Sequence, residues 1–424
     1  MSKVILFKNG RVIDPAQQRD EIADLWVKDG LIVSSESVDG ADAEIYDAGG
    51  CWVVPGLIDM HVHLRDPGEE YKETIETGCR AAAAGGFTAV ACMPNTNPVN
   101  DNSSVTRYIC EKASLCAARV YPVGAISQQS KGEKLAEYGE MKMAGAVAVT
   151  DDGHPVVDSR LMRRAMEYAA SHDMLVMSHS EELSLTRGGC MNEGELSTRM
   201  GLRGIPVAAE SIMVYREIAL AELTGARVHI SHVSAGQSLA LIRDAKARGV
   251  KITAETAPHY FTLTEQAVLG YDTNAKMNPP LRAEKDRMAI REALRDGTLD
   301  AIATDHAPHS ILQKEIEFNM AANGIVGLET SLPLSLALVR EGLIGPERLV
   351  DLMSCAPARI LGVPGGSLHT GAVADITVID PEKSFTFSVE ESFSKSKNSP
   401  FAGWKLQGKA VLTLVAGRIT HRDL

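Results

Sequence analysis

A strand-like run followed by a helix-like run recurs eight times through the middle of this 424-residue chain. The β-rich runs fall at 53–58, 88–93, 120–126, 146–150, 175–178, 227–231, 251–255 and 301–304. Helical stretches lie between them. The stretch over 210–223 places apolar residues at Val214, Ile218 and Ala221 and stops at Gly225. The one over 237–248 uses Leu239, Ile242 and Ala245 and stops at Gly249. These are apolar helix faces with glycine C-caps. Such alternation calls for parallel strands joined by right-handed crossovers, and eight units over about 300 residues predict an α/β fold, a (β/α)8 TIM-type barrel. A doubly wound open sheet is the alternative, but no G-x-G-x-x-G follows any of the strands.

The two ends read differently. Strands near 4–8, 11–13, 25–28 and 31–34 are separated by the turn signals Asn9-Gly10 and Asp29-Gly30, and 374–379 and 410–416 continue the pattern. Neither end is long enough to bury a core alone. The expectation is a small β-sandwich domain formed by both chain ends: 1–54 its N-terminal part, 55–365 the barrel, 366–424 its C-terminal part. At 45% hydrophobic and 23% charged residues the chain has material for a large core. A net charge of −12 argues against nucleic acid or an anionic membrane surface as the partner. No run of 18 apolar residues occurs, and the opening stretch from Met1 reads as a strand rather than a leader. Seven scattered cysteines without a C-x-x-C pair suggest reduced thiols and a cytoplasmic location.

Polar residues gather after the strands. His61-Val62-His63 follows the first, Asp151-Asp152 the fourth, His179 the fifth, His232 the sixth and Asp305 the eighth. In a barrel these positions share one rim, where barrel enzymes place their active sites. Positions i and i+2 of a strand point the same way, so His61 and His63 face inward together. Alone, H-x-H is weak evidence. Buried imidazoles and carboxylates converging from five strands are costly unless a divalent metal compensates them. The bland account is a buried polar network without metal. His229, three before His232, is expected to face away and serve packing. His259 and His154 read as solvated loop residues, and His306 should point away from its neighbour Asp305.

Longer motifs sharpen this. They are Asp59-Met60-His61-Val62-His63-Leu64-Arg65, Met93-Pro94-Asn95-Thr96, Thr150-Asp151-Asp152-Gly153, His229-Ile230-Ser231-His232, Lys276-Met277-Asn278-Pro279-Pro280 and Thr304-Asp305-His306-Ala307-Pro308-His309. Through them the chain resembles the amidohydrolase superfamily, and within it the dihydroorotases of the free bacterial type, over nearly its whole length. The resemblance implies zinc, one or two ions per chain. His61, His63 and Asp305 would hold one ion, His179 and His232 a second, with Asp152 as the bridging carboxylate. It implies substrate contacts from His63, Arg65, Asn95, Asn278, His309 and Asn323-Gly324, where Asn323 departs from the usual residue. It also implies a homodimer and a small-molecule partner.

The implied reaction is the reversible cyclisation of N-carbamoyl-L-aspartate to L-dihydroorotate and water in pyrimidine biosynthesis, with Asp305 as general acid/base. A guanidinium such as Arg65 suits the substrate carboxylate. Hydantoinase- or allantoinase-like amidases are the nearest alternative. They usually carry a carboxylated lysine, and the fourth strand here has none. A non-catalytic barrel scaffold would typically have lost some of the six ligand positions. Segment 310–322 reads either as a cover over the site or as an ordinary surface connection.

Overall fold

The computed structural model describes residues 3–38 and 43–423. Met1 and Ser2, which open the stretch read above as a strand, lie outside the described residues. In the N-terminal part, β1 (Val4–Asp14), β2 (Arg19–Lys28) and β3 (Leu31–Val33) form an antiparallel run. Both β4 (Glu44–Asp47) and β5 (Trp52–Pro55) lie parallel to β1.

The barrel strands are β6 (Leu57–Val62), β7 (Phe87–Cys92), β8 (Arg119–Gly124), β9 (Ala148–Val149) and β10 (Leu175–Ser178). A separate two-stranded pair, β11 (Met191–Asn192) and β12 (Gly204–Ile205), precedes the last three, β13 (Val228–Ile230), β14 (Ile252–Thr256) and β15 (Ala301–Ile302). These eight barrel strands pair in the order β6-β7-β8-β9-β10-β13-β14-β15. The ring closes at the C-terminal mouth, where the His63 N–H donates to His306 O at 2.8 Å. The outer helices follow the apolar spacing. Ala208–Thr224 buries Val214, Ile218 and Ala221 and is capped by Gly225 at φ 68°. Gly236–Ala247 buries Leu239, Ile242 and Ala245.

Three final strands, β16 (Ile376–Thr386), β17 (Lys405–Val415) and β18 (Arg418–Arg422), return to the N-terminal ones. Antiparallel pairing of β16 with β5 joins both chain ends into one eight-stranded sheet. It encloses its own apolar cluster, including Phe7, Val27, Val53, Ile376 and Leu414. The small β domain therefore exists only as a product of both ends.

Two local expectations are corrected. The turn at Asn9-Gly10 does not separate two strands: β1 runs through it, paired with β2 on both sides, with a shift of register between Phe7 and Gly10. Asn9, at φ 63°, takes the extra residue of a bulge. The run 53–58 is likewise two strands, β5 of the end sheet and β6 of the barrel. They part at Gly56, whose N–H donates to Asp375 O at 2.9 Å and whose carbonyl accepts from Ser354 Oγ at 2.7 Å. A Cβ at this junction would run into the Thr88 side chain. Gly56→Ala should thus lower the unfolding free energy by about 1–3 kcal/mol, as overpacked sites do. Urea unfolding measures it, and unchanged stability would show that the junction has room.

Candidate active site

The strand ends bring four imidazoles and two carboxylates together. Asp59, buried on β6, accepts from the N–H groups of His61 and Thr304, both at 3.1 Å. This ties the first strand to the segment after the last and fixes where His61 and Asp305 emerge. His61 Nε2 lies 3.3 Å from Asp152 Oδ1 and 3.6 Å from Asp305 Oδ1. His63 Nε2 lies 3.2 Å from Asp305 Oδ1 and 3.4 Å from Asp152 Oδ2. On the opposite side His179 Nδ1 and His232 Nε2 are each 3.5 Å from Asp152 Oδ1.

Donor atoms of His61, His63 and Asp152 form one group close enough to hold a metal ion, and those of Asp152, His179 and His232 form another. Asp152 belongs to both. Its neighbour Asp151 points elsewhere, accepting from the Ser127 N–H at 3.0 Å, and burial pushes its carboxyl up to about 6. Burial also opposes the charge of Asp152, but the imidazoles around it hold its carboxyl well below the ordinary range.

The fit to a metal rests on atoms inside this cluster. His61 Nε2 and Asp152 Oδ1 are buried without a hydrogen-bond partner. His179 Nδ1 and His232 Nε2 face each other at 2.8 Å, as two nitrogens aimed at one cation would. Three of the four remaining ring nitrogens are committed to the protein, and His232 Nδ1 is buried without a hydrogen-bond partner. His61 Nδ1 is 2.9 Å from Glu255 Oε1, His63 Nδ1 is 2.8 Å from Asn95 Oδ1, and His179 Nε2 is 2.9 Å from Glu181 Oε2. Each acceptor takes a ring N–H and leaves the other nitrogen's lone pair free, the arrangement that supports imidazole ligands.

Arg65, Asn95, Asn278 and Asn323 line a small cavity of about 170 Å³ beside this cluster, together with Ala307 and Asp305. Arg65 is buried and forms no ion pair among the described residues. It is anchored instead by Nε donating to Pro308 O at 3.2 Å, with Nη2 3.4 Å from His309 Nε2. His309 stands behind Arg65 and is not on the cavity wall. Gly324 is not on the wall either: its N–H donates to Lys276 O at 2.9 Å, and its carbonyl is also taken. Asn278 reaches Glu181 Oε2 at 3.0 Å. No lysine lines the cavity; Lys142 and Lys276 donate to backbone carbonyls elsewhere. Three side chains at this mouth sit in the left-handed region, Arg65 at φ 59°, His232 at φ 38° and Asp305 at φ 47°. Such backbone strain is held where a site needs a particular aim.

The sequence reading missed several members. His229 is not mere packing: its Nε2 lies 3.3 Å from Glu255 Oε2. The alternation argument failed because β13 ends at Ile230 and the left-handed His232 breaks the period. Glu255 itself was visible as an acidic residue inside a β-rich run, a position that demands a partner. Burial opposes its charge, yet His229 and His61 hold its carboxyl down to about 2. His259, expected in a solvated loop, is buried on the short helix Pro258–Thr262. His306 does point away from Asp305, its Nε2 lying 3.3 Å from Glu73 Oε2.

Two measurements follow from this geometry. Glu255→Gln keeps the shape but loses the charge that orients His61, and should weaken metal retention about 10- to 100-fold in a chelator competition; equal retention would mean His61 needs no support. The second concerns acid. Burial, then the Arg65 charge, pushes the His309 ring from 6.5 down to about 2. Below pH 6.5 the unfolded chain takes a proton that the folded chain refuses, so stability falls with pH. By pH 5 that loss amounts to about 2 kcal/mol. His309→Gln should remove this share of the difference between urea unfolding at pH 7 and pH 5, and an unchanged difference would show a ring protonated in the folded state.

Comparison with known proteins places the chain as a whole. The family model described as Dihydro-orotase-like matches residues 50–238. A protein named Dihydroorotase from Desulfotalea psychrophila is 70% identical over 418 residues, spanning 99% of either chain. Another of that name from Geobacter metallireducens is 59% identical over 423 residues, with the same coverage. Among solved structures, the L-hydantoinase (dihydropyrimidinase) from Arthrobacter aurescens superposes with a TM-score of 0.89 at 26% identity, covering 100% of this chain and 97% of its own. The fold is thus shared with a hydantoinase, whereas 59–70% identity runs end to end with these two relatives named Dihydroorotase: the chain belongs to the dihydroorotase family.

Proposed function

We propose that the chain catalyses the reversible cyclisation of N-carbamoyl-L-aspartate to L-dihydroorotate, with a metal held by His61, His63, Asp152, His179, His232 and Asp305. One observation carries this reading. Arg65, a buried cation without a carboxylate partner, opens onto the same cavity as two donor groups that share Asp152. A buried guanidinium left unpaired is costly, so the site is built for a substrate that brings its own carboxylate. A neutral cyclic amide would leave that cost unmet.

Imidazole and carboxylate donors suit zinc, one or two ions per chain. A divalent ion in these groups supplies two things, a lower pKa for water and polarisation of the ring carbonyl. The chain's own residues do the rest. Arg65 receives the substrate carboxylate, and Asn95, Asn278 and Asn323 offer amide groups along the cavity wall. Asp305, 3.2 Å from His63 and facing the same space, takes the proton of the attacking water and passes it to the leaving ring nitrogen. In the ring-closing direction Asp305 starts protonated, so cyclisation gains at lower pH and hydrolysis at higher pH. Residues 55–365 would form the catalytic unit of a cytoplasmic homodimer, with 1–54 and 366–424 as its β-sandwich. No helix among the described residues is long and apolar enough to cross a membrane.

The test is a turnover assay on purified protein with dihydroorotate, hydantoin and allantoin, before and after chelation, alongside elemental analysis. Dihydroorotate should be the substrate turned over, and chelation should abolish it. Asp305→Ala should lower the rate on the order of 10²- to 10⁴-fold while at least one metal ion stays bound. Near-normal rates in that variant, or preference for a ring without a carboxylate, would overturn the reading.

A further inference from the structure

The hairpin joining β16 to β17 does not turn tightly. Phe387 and Trp404 close its neck, with Phe387 N–H donating to Trp404 O at 2.9 Å and Gly403 N–H to Phe387 O at 2.8 Å. Between them the chain climbs to the barrel mouth and buries Ser394, Ser396 and Asn398 there. Its first contact is with the connection after β6, which carries Arg65. Ser394 Oγ and the Lys395 N–H both donate to the buried Glu73 carboxylate, and Ser396 Oγ donates to Lys72 O at 2.6 Å.

Its second contact is with the connection after β15. Asn398 Oδ1 accepts from the His309 N–H at 3.0 Å, and Asn398 Nδ2 donates to Ala307 O and to Gly324 O, each at 3.0 Å. The Asn398 backbone carbonyl accepts from Val326 N–H at 2.9 Å. One amide thereby spends its acceptor and both its hydrogens on three backbone groups. Two of the three flank Pro308, whose carbonyl anchors Arg65 Nε, and the third belongs to Gly324, next to Asn323 on the cavity wall. Lys314 Nζ shares the Gly324 carbonyl at 3.1 Å, filling its second lone pair. Gly324 allows this close approach: a Cβ there would strike Ala307 O and the His309 ring.

We infer that Asn398, from the far end of the chain, is a positioning residue for substrate recognition: it fixes the 307–309 backbone that aims Arg65 and the 323–324 backbone that forms the facing wall. It neither lines the cavity nor bonds to the metal donors, so its effect is on binding geometry rather than on the reacting atoms. Aspartate would keep the acceptor but set a carboxylate against two carbonyls. Alanine would free all three backbone groups.

The inference rests on the proposed dihydroorotate reaction, so wild-type turnover is measured first; its absence would sink that reading and not this one. Given turnover, Asn398→Ala should raise KM for dihydroorotate on the order of ten-fold, with kcat within about three-fold and metal content unchanged. Thr413→Val serves as the structural control, since it removes an equally buried side-chain bond from the end sheet to Ala83 O on the barrel helix Ile75–Ala84. It should lower Tm and leave KM alone. If the alanine variant does not fold, Asn398→Ser is read by the same criteria. An unmoved KM, a fall in kcat without a rise in KM, or loss of metal would overturn the assignment.

Discussion

A carboxylate removed from water needs compensating charge, and much of this molecule answers that need at Asp152. The side chain sits at the mouth of a parallel barrel with imidazoles on four sides. Without a cation those groups crowd one another, and with one they become its ligands. The same demand passes outward. His61 leans on Glu255, Glu255 also faces His229, and His229 Nδ1 is 2.8 Å from Thr253 Oγ1. The charge in the middle is set by a chain of partners running down the barrel interior, which is why polar residues occupy strand positions that would otherwise be aliphatic.

The sequence disclosed those parts of the architecture that repeat. Eight strand and helix alternations and glycine stops such as Gly225 are local signals, and they predict a barrel whatever its purpose. The donors were legible for a related reason: each follows a strand, and a barrel turns that rule into one shared rim. Asp152 rather than Asp151 was readable only through family resemblance, because adjacent residues on an irregular connection carry no period. What local pattern could not show was anything set by closure. Glu255 meets His61 across 194 positions of sequence. Asn398 meets His309 across 89. His229 was misplaced because alternation was extended past the end of its strand.

On the proposed function, substrate recognition and metal holding are separable in this site. The imidazoles come from strand ends, the most rigid part of a barrel. Arg65 comes from the connection after β6, and its anchor from the connection after β15. These connections have little regular structure of their own, and their shape is borrowed from a segment packed against both. Within one barrel family the metal cluster can then stay constant while the cavity wall is rebuilt by altering what leans on it, a division that fits the shared fold of dihydroorotases and hydantoinases.

The pairing of β5 with β16 sets a timetable for synthesis. When a ribosome has made the last barrel strand, β15, which ends at Ile302, β16 does not begin until Ile376, and until then β5 lacks a neighbour on one edge. Only after residue 415 can β17 close the sheet and hold the hairpin that carries Asn398 at the rim. A nascent barrel is therefore assembled before it is finished. An unfinished chain carries an open sheet edge, the feature by which quality control would recognise it.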